Sequence, residues 1–310
     1  MRPVVGYLFR RLLLAVFVLW GVATVIFLVV RVVPADPALL IAGTDASEEQ
    51  LAQLRQQLGL DQPLIVQYGQ FLLGILVGDL GDSYALRVPA ATLIANVLPN
   101  TALLALLACL LALVIAFPLG LLAALKVNRV PDRVVTVGTL FTQALPNFWI
   151  GVVLLLVFSQ TLRWLPSVGL SSPLNLILPT IVLALPFVSV LTRMIRNGLL
   201  EVMGEGYINT ARAKGLSERV VIFPHAVRNA AIPVVTIVGL QFGTLLGGAV
   251  VVETVFAFPG IGDLLVNSIQ QRDYNVVQAC VLVIATVFVV INLVVDLLYG
   301  LLDPRVRLAK

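Results

Sequence analysis

Six apolar runs, most of them near the length that crosses a bilayer, leave this chain few ways to fold. A helix needs about 20 apolar residues to span the hydrocarbon core. In lipid its backbone must satisfy its hydrogen bonds internally, so only helices or closed barrels cross. The runs are Leu12 to Val33, Thr101 to Leu125, Val134 to Phe158, Leu176 to Leu191, Pro233 to Val255 and Val276 to Leu302. The fourth is the weakest, because Pro179 and Pro186 interrupt it. With 60% of 310 residues hydrophobic and 12% charged, a water-exposed globular surface is excluded and an all-α polytopic membrane protein is expected. The first run is longer than the apolar part of a cleaved signal peptide and no A-x-A site follows it, so it reads as a retained helix.

Lysine and arginine set the orientation. With a cytoplasmic N-terminus, 15 of the 20 basic residues fall in inside segments, and 5 (Arg31, Arg55, Arg87, Arg163, Arg272) fall outside. Both termini are then cytoplasmic in an inner (plasma) membrane. Residues 1–33 form a short tail and the first span. Residues 34–100 form an external region, and residues 101–310 hold five spans with a cytoplasmic loop at about 195–232. In the external region Ser47 and Gln50 have the spacing of a capping box, and Gly59 is placed to end that helix. Leu51, Leu54 and Leu58 share one of its faces. Pro63 opens a second helix to Val77, apolar enough to lie on a membrane surface.

Several chemistries are excluded. The lysines are Lys126, Lys214 and Lys310, and none follows a glycine, so no phosphate-cradling Gly-Lys turn exists. The chain is not expected to be an enzyme, and no cofactor or metal is expected in it. One histidine, His225, rules out H-E-x-x-H, and no serine sits in G-x-S-x-G. Gly260-Ile261-Gly262-Asp263 matches the G-x-G-D of intramembrane aspartyl proteases, which need a second facing aspartate. Only Asp296 lies inside a span, near its cytoplasmic end, and the glycines read more simply as a tight turn. Ion-coupled transport is disfavoured because Glu253 and Asp296 fall near helix ends. Cys109 and Cys280 sit in apolar runs and read as packing residues. Nothing points to nucleic acid.

The polar connection after the fourth run carries the most information. Tyr207-Ile208-Asn209-Thr210-Ala211-Arg212-Ala213-Lys214-Gly215-Leu216-Ser217-Glu218 reads as helix, turn, helix, with Gly215 ending the first and Ser217 capping the second. Ala211 and Gly215 offer a small face to another protein. The segment, with His225-Ala226-Val227-Arg228-Asn229-Ala230-Ala231-Ile232-Pro233 after it, resembles the EAA loop of permeases in the dipeptide/oligopeptide/nickel/glutathione branch of ABC importers. Further matches run along the chain: Asp36-Pro37, Leu58 to Leu64, Gly78-Asp79-Leu80-Gly81, Pro146-Asn147-Phe148-Trp149, Trp164-Leu165-Pro166, Leu178-Pro179, Phe258 to Gly262, Arg272-Asp273-Tyr274 and Asp303-Pro304-Arg305. Two departures stand out. Asn209-Thr210-Ala211 replaces E-A-A, and Pro224 precedes His225 where a kink of the second loop helix is expected.

The resemblance implies a type I, MetI-like permease with six spans. It also implies a second homologous permease, two cytoplasmic ATPases that bind ATP and magnesium, and an external solute-binding protein. Tyr207, Thr210, Ala211, Arg212, Ala213, Lys214, Gly215 and Ser217 would couple to the ATPases. Gln143, Asn147, Gln241 and Thr244, polar at membrane depth, are pore-lining candidates, with interhelical hydrogen bonds the alternative. Gly239, Gly243 and Gly247 form a small stripe suited to close helix packing. The solute is expected to be a di- or oligopeptide or a peptide-like compound, with nickel and glutathione as alternatives.

Overall fold

In the computed structural model, residues 2–32, 37–42, 46–57 and 59–302 are described. Val33, Asp36, Leu58 and the Asp303-Pro304-Arg305 motif lie outside them. Among the described residues the regular elements are helices, and Asp82 and Pro89 make one isolated antiparallel bridge. The chain divides into two compact units. One comprises residues 1–101, 259–294 and 300–310, and the other residues 102–258 and 295–299.

The first unit begins with α1 (Arg2–Val32). The short α2 (Pro37–Ala42) and α3 (Glu48–Gln57) follow. The capping box forms as the spacing predicts: Ser47 N–H donates to Gln50 Oε1 at 3.0 Å, and Gln50 N–H to Ser47 Oγ at 3.3 Å. Gly59, at φ +64°, follows the end of α3. Helix α4 (Leu64–Val77) starts one residue after Pro63 and ends at Gly78, where φ is +79°. It pairs with the last turns of α1. Tyr68 Oη and Thr24 Oγ1 are 2.6 Å apart, Arg31 Nε donates to Gln67 Oε1 at 2.9 Å, and the Phe27 and Phe71 rings are 5.5 Å apart.

Helix α5 (Ala90–Leu125) starts eleven residues before its apolar run, at 90 rather than 101. The early turns form because Ala90 and Ile94 bury against Ile261, Val276, Ala279 and Cys280. Asn100 and Thr101 then hold the Pro259-to-Ile261 turn. Asn100 Nδ2 donates to the Pro259 carbonyl at 2.7 Å, and Thr101 Oγ1 accepts from Ile261 N–H at 2.9 Å.

The expected third span is not one helix. It is α6 (Val130–Ala144) and α7 (Asn147–Leu154), the latter running into a π-helical segment, Leu155–Thr161, with a 98° bend between them. The break is chemical. Pro146 disfavours the helical region for Leu145, which sits at φ −89°, ψ 132°. The fourth run departs in the opposite sense. A 3₁₀ turn (Pro173–Leu176) leads into α8 (Ile177–Met203), which continues through both prolines and is the most buried of the membrane-length helices. Pro179 lies in the first turn, where its missing N–H has no partner to lose. Pro186, inside the helix, stands among the buried Leu183, Ala184, Phe187 and Val188.

In the second unit α8 packs on α6 and on the later helix Arg228–Val255. Two polar ties join α6 to α8. Thr142 and Ser189 hydroxyls are 2.5 Å apart. Arg196 grips Asp132 with two hydrogen bonds, Nε to Oδ1 at 2.6 Å and Nη2 to Oδ2 at 2.9 Å. Asp132 is 4% exposed and also accepts from Asn128 N–H at 2.8 Å. Two glycines permit close approach. A Cβ on Gly120 would lie 2.8 Å from Ile195 and 2.9 Å from the Thr192 carbonyl oxygen, and one on Gly151 would lie 3.2 Å from Val255.

The short α9 (Gly206–Ala213) and α10 (Glu218–Val220) come next. A π-helical segment (Val221–Val227), α11 (Arg228–Val255), α12 (Ile261–Gln270) and α13 (Tyr274–Leu302) complete the chain. Among the described residues five helices are long and apolar enough to cross a membrane, and the bent α6–α7 pair would make a sixth.

Candidate coupling site

The turn between α9 and α10 closes as a Schellman motif. Gly215 takes φ +80°. Its N–H donates to the Arg212 carbonyl at 2.9 Å, and Leu216 N–H reaches the Ala211 carbonyl at 3.4 Å. Glycine is favoured there because a left-handed conformation presses a Cβ against the carbonyl. Ser217 occupies the cap position before α10 (φ −65°, ψ 147°), yet its side chain makes no cap hydrogen bond. Its carbonyl accepts from Val220 and Val221 instead.

Charge at this turn is spent locally. Arg212 Nε donates to Glu218 Oε1 at 2.9 Å and Nη2 to Oε2 at 3.4 Å, so the pair staples the two helices. Arg212 is therefore not a free cation for a partner's groove. Ala211 also departs from its expected place. Like Ile208, which is fully buried, it is covered by this chain's own residues and not open to the outside. Gly215 is open, with nothing within 4 Å of where a Cβ would be. Thr210 is exposed and its hydroxyl turns back to the Gly206 carbonyl at 3.0 Å. Ala213 and Lys214 are exposed. Tyr207 is exposed and its hydroxyl accepts from Asn229 Nδ2 at 2.8 Å, which ties α9 to α11.

Pro224 lies in a π-helical turn that runs without interruption from α10 into α11. A wider turn spares the carbonyl four residues back from the proline ring. The expected kink is thus absorbed as a π segment. His225 contributes its carbonyl, which accepts from Asn229 Nδ2 at 3.0 Å. Sequence reasoning missed Leu216, Val220 and Phe223, all large, apolar and exposed. Their i, i+4, i+7 spacing is a helical stripe that sequence alone could have revealed.

The pore candidates scatter. Gln143 and Asn147 flank the Pro146 break, exposed and half-buried respectively. On α11, Thr244 is exposed and its hydroxyl donates to the Gln241 carbonyl at 2.8 Å. The glycine stripe divides. A Cβ on Gly239 would collide with the Val295 side chain of this same chain, Gly243 is buried, and Gly247 faces open space. The G-x-G-D segment forms a helix start, with Gly260 at the cap and Asp263 accepting from Asn267 Nδ2 at 2.9 Å. Among the described residues no cluster of three metal-ligating side chains forms.

This architecture is found in known proteins. The solved structure titled inward facing conformations of the MetNI methionine ABC transporter aligns at TM-score 0.57 and 17% identity. It covers 69% of this chain and 97% of that one. An amino acid ABC transporter crystallised with histidines aligns at TM-score 0.53, covering 69% of this chain and 94% of that chain. In sequence, the glutathione transport system permease protein GsiC of Salmonella choleraesuis (strain SC-B67) is 45% identical over 97% of this chain and 99% of its own length. GsiC of Escherichia coli (strain K12) is 43% identical over the same shares. Residues 4–105 match the N-terminal model of binding-protein-dependent transport membrane components. Residues 116–308 match the family described as binding-protein-dependent transport system inner membrane component. The chain belongs to that family, as a permease subunit of an ABC importer.

Proposed function

We propose that this permease carries glutathione or similarly small peptides, pairs with a second homologous permease, and couples to two ATPases through the turn at Lys214–Ser217. The observation that carries the coupling role is the exposed Schellman turn. A Cβ on Gly215 would meet nothing within 4 Å, and Leu216, Val220 and Phe223 stand exposed in the same segment. The substrate reading rests on relatives named as glutathione permeases that match along 97% of the chain.

In this reading the N-terminus and the α9–α10 turn are cytoplasmic, as the basic asymmetry predicts. ATP and magnesium are bound by the partner ATPases. Their closure pushes the turn, and the π-helical run into α11 carries the displacement into the spans. Residues 34–100 face the solute-binding protein. Gln143, Asn147, Gln241 and Thr244 line the path, and Gly247 is the member of the glycine stripe left for the sister permease.

The test is reconstitution of the whole complex in proteoliposomes, with glutathione, a dipeptide and nickel ions compared as solutes. Saturable, ATP-dependent glutathione or dipeptide uptake that needs the binding protein supports the reading. Uptake of nickel alone overturns the substrate. ATP hydrolysis by this chain purified without its ATPases overturns the division of labour.

A further inference from the structure

A polar cavity of about 340 Å³ opens inside the first unit, where the end of α1, helix α4, the Asp79-to-Tyr84 loop and the start of α13 meet. That is near the lower end of ligand-sized cavities, roughly 300–1,000 Å³. Its walls include Arg31, Gln67, Asp79, Tyr84, Asn275 and Gln278. None of these residues was singled out as a binding group by the sequence, and the coupling site lies in the other unit.

The polar partners within this cavity do not balance. Gln67 is fully committed: Oε1 accepts from Arg31 Nε, and Nε2 donates to the Leu60 and Gln62 carbonyls at 3.3 and 2.8 Å. Asn275 Nδ2 donates to the Asp82 carbonyl at 2.9 Å. Asp79 is exposed, and its Oδ1 accepts from Gly81 N–H at 2.9 Å. Two donors are left. Gln278 is 6% exposed and its Nε2 has no hydrogen-bond partner. Arg31 uses Nε on Gln67 and lays its guanidinium over the Phe27 ring at 4.9 Å. Among the described residues its two terminal amino groups meet no acceptor. Tyr84 is not among these donors: burial, the largest influence on it, pushes its phenol above the ordinary range, and its hydroxyl is hydrogen-bonded with the Asn275 side chain. A cation and a buried amide donor around one cavity call for an acceptor with negative charge, because an unpaired buried donor is costly.

We propose that this cavity is a binding subsite for a single oxyanion, held by Arg31 and Gln278. The chemistry is shared by the carboxylate of a small solute and the phosphate of a lipid headgroup. The inference does not rest on which solute is transported.

The test uses the assembled complex in nanodiscs of phosphatidylcholine. N-acetylalanine and its uncharged amide serve as carboxylate probes by equilibrium binding. Phosphatidylglycerol mixed into the discs, with retention read by native mass spectrometry, probes the headgroup. Gln278→Leu removes the amide at nearly constant volume, and Arg31→Gln removes the charge. The expected result is binding of the carboxylate probe but not the amide, or selective retention of phosphatidylglycerol, with each variant weakening it at least tenfold. The first pattern assigns a solute carboxylate and the second a lipid phosphate. If Arg31→Gln fails to assemble, Gln278→Leu decides alone. Failure of both probes to bind the unaltered complex, or binding within twofold of it in Gln278→Leu, overturns the proposal.

Discussion

Gly215 concentrates the consequences of a single side chain. Its φ of +80° was legible in the sequence as a glycine closing a short polar helix. The local spending of Arg212 on Glu218 was not, because the i, i+6 pair meets only once the turn has folded. A β-branched residue at Gly215 faces backbone strain of about 1–2 kcal/mol, and its bulk points into the space left open for a partner. Gly215→Val is expected to leave insertion and pairing with the sister permease intact while substrate-stimulated ATPase activity and transport fall at least tenfold in proteoliposomes. Arg212→Ala removes an exposed ion pair worth about 0–1 kcal/mol, so transport should fall less than threefold. Normal coupling in Gly215→Val would move the force-transmitting contact elsewhere. Residue identity also hid the role of Asp273. It is almost fully buried and accepts from Ser83 Oγ at 2.5 Å and from the Tyr84 and Ala85 N–H groups. Its partners lie some 190 positions away, beyond the reach of any local pattern.

Among the elements, hydropathy located the membrane-length helices and misjudged two of them for the same reason. Proline acts through backbone geometry that an apolar count ignores. At Pro146 the preceding residue takes the extended conformation and the helix breaks, whereas at Pro186, among buried neighbours, α8 runs on. What fixes α8 is also long-range: the Asp132–Arg196 pair and the close contact at Gly120. Arg196→Met would leave the Asp132 carboxylate buried without its main partner. Removing one member of a buried pair costs about 3–5 kcal/mol, and partial exposure of Arg196 places the effect near the lower bound. The expected readout is a clear drop in the detergent melting temperature, largely relieved by adding Asp132→Leu. No relief in the double variant would show that the charge pair is not the cause. Gly120→Val should destabilise by overpacking, about 1–3 kcal/mol, in the same assay. The glycine stripe separates by the same reasoning. Gly239→Ala strains the chain's own contact with Val295 and should lower the melting temperature of the isolated subunit. Gly247→Leu should leave that melting temperature unchanged and weaken co-purification with the sister permease. Unchanged co-purification would remove Gly247 from the interface.

For the whole molecule, the family and the all-helical membrane class were readable from composition and motif order, while the division into two units was not. The boundary falls inside α5 and α13, helices that look uniform in sequence. Orientation rests on the 15-to-5 distribution of basic residues, and exposure in the structure selects the reporters that test it. Ser83 lies in the connection of interest but is buried against Asp273, so a cysteine there would report burial instead of sidedness. Asp61, before α4, and Arg129, before α6, are both exposed. In a background of Cys109→Ala and Cys280→Ala, both native thiols being buried, Asp61→Cys should react with a membrane-impermeant maleimide added to intact cells. Arg129→Cys should react only after permeabilisation. Between the two positions lie α4, at 14 residues too short to span, and one membrane-length helix, α5, so they must differ if α5 crosses the bilayer. Labelling of both from the same side would remove α5 as a span. Reaction of Arg129→Cys alone in intact cells would invert the molecule, placing the Gly215 turn outside, beyond the reach of any ATPase that uses cytoplasmic ATP.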